Sequence, residues 1–148
     1  MENFKPANIL LVDDNKMDIE LSLDAFKESK FANKINVVTS GQDALGYMFG
    51  NEKYKNRSEY PLPDMILLDL KMPGIDGHEV LKKIKGEPIL KRIPIIILTS
   101  SKEEGDLHMS YDNGANSCLI KPISFKALLE IIKQLEEYWL VLNVMPLK

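Results

Sequence analysis

Cysteine is almost absent: Cys118 stands alone, so the chain has no internal disulfide framework, and a reducing, cytoplasmic setting fits best. The two histidines, His78 and His108, lack the thiols and further imidazoles that a zinc site needs. No apolar stretch approaches the roughly 20 residues that span a bilayer, and the start, Met1 to Pro6, is polar, so a soluble and unprocessed protein without a membrane partner is expected. An excess of one sign of charge is missing as well. A formal net charge of -3 gives no global reason to expect nucleic acid or an anionic membrane, both of which favour a basic surface. Internal repeats, low-complexity tracts and interdomain linkers are missing too. What remains is 148 residues, 45% hydrophobic and 28% charged, enough for one domain over 1–148 that buries a core unaided.

Five short runs rich in Ile, Leu and Val read as strands: Asn8 to Val12, Ile35 to Val38, Met65 to Leu68, Ile95 to Leu98 and Ser117 to Ile120. Helical spacing fills the intervals. Met17 to Ser29 carries two stripes, Ile19, Leu23, Phe26 and Met17, Leu21, Ala25. A second helix starts at the Ser40 cap, and a third covers Gly77 to Lys85 with Val80, Leu81 and Ile84 inward, stopped by Gly86 and Pro88. Ser101 with Glu104 makes a capping box for a fourth helix toward Asn113-Gly114, and Ser124 caps a fifth reaching about Leu142. Continuous apolar strands alternating with helices require right-handed crossovers, hence a doubly wound α/β domain with a parallel sheet between two helical layers. The polar stretch over 50–63 is longer than the usual connection and reads as a partner loop or a tolerated insertion.

In such a sheet, function collects at the carboxyl ends of the strands. Strand one ends in Asp13-Asp14, strand three in Asp69, strand four in Thr99-Ser100 and strand five in Lys121. A single Asp there is ordinarily a turn or cap residue, and a lone Lys before Pro is a solvated loop residue; their joint placement on one rim is what carries chemistry. Three adjacent carboxylates repel unless a cation neutralises them, and an all-oxygen set lacking His or Cys suits Mg²⁺ together with an anionic group. Lys121 supplies a charge for a phosphate oxygen and the Thr99 hydroxyl a hydrogen bond to another. With Asp69 as nucleophile, the product is an aspartyl phosphate.

The run Asp69-Leu70-Lys71-Met72-Pro73-Gly74-Ile75-Asp76-Gly77, with Asp13-Asp14, Thr99 and Lys121-Pro122, resembles the receiver domain of two-component response regulators over nearly the whole chain. The resemblance implies a flavodoxin-like five-stranded sheet of order 2-1-3-4-5 with five helices. It implies phosphoryl transfer from a sensor histidine kinase or a phosphotransfer protein to Asp69. It further implies Asp13 and Asp14 as the acidic pair, with Asp14 on the ion, the Lys71 carbonyl as a backbone metal ligand, Thr99 as switch hydroxyl and Lys121 as phosphate-binding lysine. The stretch before strand three and the segment Glu136 to Leu140 resemble small stand-alone receivers that serve bacterial phytochrome-type kinases.

Two departures sharpen the expectation. Cys118 stands where the family commonly has Tyr or Phe, so transmission by an aromatic coupled to Thr99 is in doubt, and a small buried thiol is expected there. After Lys121 there is room for one helix and a tail, over 124–148, so no output domain is expected and signalling must pass through protein contact. Phe125, Leu128, Ile132, Leu135, Trp139 and Leu142 form the expected core face of the last helix; further apolar residues such as Leu129 and Ile131 exceed one stripe and point to a homodimer through the fourth helix, fifth strand and fifth helix. Lys82, Lys83, Lys85, Lys91 and Arg92 read as a solvated face, not a nucleic-acid site. A phosphoacceptor switch, not an enzyme, is thus expected. A metal-dependent phosphohydrolase would carry a second Asp two residues after its nucleophile, where Lys71 stands, and a phosphorylation-independent interaction module would lack an acidic or lysine position.

Overall fold

The computed structural model describes residues 7–29, 33–99, 114, 117–120 and 124–144. Within them the chain runs β1 (Ala7–Val12), α1 (Lys16–Glu28), β2 (Asn33–Val38), α2 (Gly41–Phe49), β3 (Met65–Asp69), α3 (Gly77–Lys85), β4 (Ile95–Thr99), β5 (Ser117–Ile120) and α4 (Phe125–Val144). Single 3₁₀ turns at Glu52–Tyr54 and Leu90–Arg92 precede β3 and β4. The strands form one parallel sheet of order β2-β1-β3-β4-β5. Four α-helices lie among the described residues; the helix expected from Ser101 to Asn113-Gly114 falls outside them.

Both faces of the sheet are covered. Residues alternate sides along a strand, so Leu10, Ile66 and Ile97 join Val80, Leu81 and Ile84 of α3 in one core, while Ile9, Leu67 and Leu98 join Phe26 of α1 and Leu128 and Ile132 of α4 in the other. The sharp helix starts follow from side-chain caps: Asn15, Ser40, Asp76 and Ser124 each accept a hydrogen bond from the backbone N–H three residues on, at 3.0 Å. Of these, Ser40 and Ser124 stand out in the sequence as caps.

Two expected core positions are corrected. Met17 is 81% exposed, because it sits in the first turn of α1, beyond the reach of the sheet. Phe125 opens α4 and is also exposed, whereas Leu129 packs partly against the core. Trp139 and Leu142 have side chains outside the described set.

The basic cluster is not uniformly solvated either. Lys82, Lys83, Lys91 and Arg92 are exposed, but Lys85 donates from Nζ to the carbonyl oxygens of Lys91 at 2.9 Å and Ile93 at 2.7 Å. Burial holds its ammonium below the ordinary lysine range. Lys85 therefore ties the end of α3 to the entrance of β4. Lys85→Met keeps the aliphatic stem and removes both bonds, and should cost about 1–2 kcal/mol. The check is a urea titration, in which the midpoint falls at unchanged slope.

Candidate phosphoryl-transfer site

Parallel register places the polar strand ends on one rim. Val12 pairs with Leu68 and Asp69 with Leu98, so Asp13, the next residue after β1, stands beside Asp69. Thr99 pairs with Ile120, which brings the last residue of β4 level with the last of β5. Asp13, Asp69 and Thr99 are buried and Asp14 is exposed. One carboxylate oxygen from each of Asp13, Asp14 and Asp69 lies within 4.8 Å of the others. Lys121 follows Ile120 directly and lies outside the described residues, as does the Cys118 side chain.

Backbone donors steady two of the three carboxylates. The Asn15 N–H donates to Asp13 Oδ1 at 2.9 Å, and the Lys71 N–H donates to Asp69 Oδ1 at 3.2 Å. Asp13 itself continues the ladder, its N–H donating to the Val38 carbonyl at 3.1 Å. Two buried carboxylates beside a third are electrostatically costly, and these two amide hydrogen bonds alone do not neutralise a cluster of that kind. A hard divalent cation does, and an open, all-oxygen donor set fits Mg²⁺ or Mn²⁺ better than zinc or copper. The residues present fit such an ion.

The loop from Leu70 to Asp76 closes the site. Leu70 donates to the Leu98 carbonyl at 3.2 Å and accepts from the Gly77 N–H at 2.9 Å, folding the loop into a ring whose ends meet. Gly74 within it has φ +79°, a backbone region closed to most side chains. The acidic cluster and Thr99 stand out in the sequence, whereas Asn15, whose N–H holds Asp13, was signalled only as an Asn immediately before a helix.

The fold is shared with known proteins. The family model for the response regulator receiver domain matches residues 9–133. The probable methanogenesis regulatory protein FilR2 of Methanothrix harundinacea is 42% identical over 146 residues, covering 99% of this chain and 92% of that protein. Response regulator Rcp1 of Synechocystis is 37% identical, covering 98% and 97%. Among solved structures, the phosphorylated cyanobacterial phytochrome response regulator RcpA has a TM-score of 0.83 at 38% identity, covering 97% of this chain and all of that one. The Mn²⁺-bound form of Rcp1 has a TM-score of 0.82 at 37% identity, covering 96% and 100%. A match over most of the chain, with the family's acidic rim assembled at the expected strand ends, makes this chain a member of the response regulator receiver family, the flavodoxin-like receivers of two-component signalling.

Proposed function

We propose that this chain is a phosphoacceptor switch: Asp69 takes a phosphoryl group from a histidine kinase or phosphotransfer protein, and the protein signals by contact with other proteins. The observation that carries the reading is the buried Asp69 carboxylate held within 4.8 Å of Asp13 and Asp14 oxygens, with Thr99 on the neighbouring strand end. An Asp69 oxygen attacks phosphorus, the P–O or P–N bond to the donor breaks, and the leaving group departs with that electron pair. The Lys71 N–H orients the attacking carboxylate. Asp13, Asp14, Asp69 and the Lys71 carbonyl would hold Mg²⁺, which supplies positive charge against the phosphoryl oxygens. Thr99 and Lys121 are the proposed phosphate-binding pair. The Mn²⁺-bound relative supports a divalent cation at this rim.

Similarity to cyanobacterial phytochrome response regulators supports a phytochrome-type kinase as donor. The exposed Phe125 and half-buried Ile131 of α4 support a homodimer through that helix, with β5 and the helix expected over 101–113. A receiver without enzymatic turnover, its five-helix complement complete and its location cytoplasmic, completes the reading.

The test is incubation with Mg²⁺ and acetyl phosphate followed by intact-protein mass spectrometry. One added phosphoryl mass is expected. An unmodified mass, beside an active control receiver that is modified, rejects the proposal.

A further inference from the structure

Two glycines hold the loop that carries Lys71, and neither is needed for its own backbone angle. Gly41 is the first residue of α2 and Gly77 the first of α3; both follow a capping side chain, and neither has positive φ. What they share is a missing side chain facing the same loop. A Cβ on Gly77 would lie 2.6 Å from the Asp69 carbonyl oxygen and 2.6 Å from Leu70 Cα. A Cβ on Gly41 would lie 3.0 Å from Val80 Cγ2 and closer still to the Ile75 carbonyl oxygen. Backbone occupies that space in both cases, so a side chain would have to displace the loop itself.

The displacement has a direct route to the reacting carboxylate. Ile75 and Gly77 flank Asp76, Gly77 donates to Leu70, and the next residue, Lys71, donates to Asp69 Oδ1. Gly41 therefore presses α2 against the outer end of a ring whose inner end orients Asp69. Moving Ile75 outward would draw the Lys71 N–H off the carboxylate and shift the Lys71 carbonyl with it.

We propose that Gly41, on a helix remote in sequence from the acidic rim, is a positioning residue for the Asp69 reaction, acting through the Ile75 carbonyl and the loop from Leu70 to Asp76. The inference rests on the reading of Asp69 as phosphoryl acceptor. Reacting atoms misplaced by about 1 Å commonly cost up to two orders of magnitude in rate. A merely structural glycine would instead affect folding and leave the rate of the folded fraction unchanged.

The test compares Gly41→Ala with Leu128→Ala, a core truncation on the other face of the sheet, both assayed well below their melting temperatures. Phosphoryl uptake from acetyl phosphate is timed at saturating Mg²⁺, and Mg²⁺ affinity is measured separately by calorimetry. Gly41→Ala should take up phosphate roughly tenfold more slowly and bind Mg²⁺ several-fold more weakly, while Leu128→Ala keeps wild-type values in both. Ile75→Gly, which adds no atom but frees the same loop, should weaken both in the same direction and keeps the test decisive if Gly41→Ala does not fold. Uptake and affinity equal to wild type in the folded Gly41→Ala protein overturn the proposal. So do wild-type values in Ile75→Gly where Gly41→Ala does not fold. Failure of the wild-type protein itself to gain phosphate rejects the Asp69 reading, and this inference with it.

Discussion

Asp69→Asn is expected to abolish phosphoryl uptake while making the metal-free protein more stable than wild type. The amide keeps the shape of the carboxylate, and its oxygen can still accept from the Lys71 N–H that now reaches Asp69 Oδ1. What it loses is the nucleophilic anion, and with it the added phosphoryl mass. It also removes a charge from a crowded group: unit charges within 4.8 Å of one another repel by at least about 3 kcal/mol at an effective dielectric constant near 20. Asp14 is exposed and its share is screened, so the net gain in stability should be about 1–3 kcal/mol. Mg²⁺ works in the opposite direction. At a hundredfold excess over its dissociation constant, an ion bound by the folded state alone adds about 2.7 kcal/mol, or roughly 5–10 °C in melting temperature for a domain of this size. Wild type should show that shift and Asp69→Asn much less of it. Thermal melts in EDTA and in Mg²⁺, paired with intact mass after acetyl phosphate, separate the effects. A phosphoryl mass on Asp69→Asn, or equal Mg²⁺ shifts in both proteins, would contradict the assignment.

The acidic rim was legible in one dimension because parallel strands of similar length end together. Once β1, β3 and β4 were identified by their apolar runs, Asp13, Asp14, Asp69 and Thr99 had to share an edge. Helix faces were less legible. A periodic stripe specifies direction around a helix but not how far along it the neighbour extends, which is why Met17 and Phe125, each in a first turn, are exposed despite lying on apolar stripes. Lys85 shows the same limit for charge: its identity says solvent, whereas two carbonyls at the entrance of β4 hold it. Gly41 was the least legible, since its packing against Ile75 joins residues far apart in sequence through an absent side chain. The loop over 50–63 was legible only as a polar stretch longer than the usual connection. Its polar residues left a partner loop and a tolerated insertion both open, and its tyrosines, which organise it, carry no period.

Those tyrosines make Tyr54→Ala a strongly destabilising change at the α2 edge of the core that α3 covers. Tyr54 is buried, with its ring centroid 5.0 Å from Tyr47 and 5.0 Å from Tyr60, and the rings meet at tilted or edge-on angles favoured by aromatic quadrupoles. Around this cluster the backbone is tied down: Arg57 donates to the Met48 and Tyr60 carbonyls at 2.9 and 3.1 Å. The Tyr47 hydroxyl donates to the Pro61 carbonyl at 2.8 Å and accepts from Asn36 at 3.1 Å. Burial, and then a hydrogen bond to Asp43, hold the Tyr54 phenol above its ordinary pKa. The loop is thus a packed wall over α2, not a spacer. Truncating a buried aromatic costs about 3–5 kcal/mol, and a position at the margin of the core belongs near the lower figure, about 3 kcal/mol. Tyr54→Phe keeps the rings together and should lose only about 1 kcal/mol. Lys53, Lys55 and Arg57 lie in or beside the cluster, so limited trypsin digestion reports on its opening: rapid cleavage in Tyr54→Ala, slow cleavage in wild type and Tyr54→Phe. The loop enters β3 at Met65, at the opposite end of the strand from Asp69, so phosphoryl uptake by the folded Tyr54→Ala protein should stay near wild type. Resistance to trypsin together with an unchanged melting temperature would show that the aromatic cluster does not hold this loop.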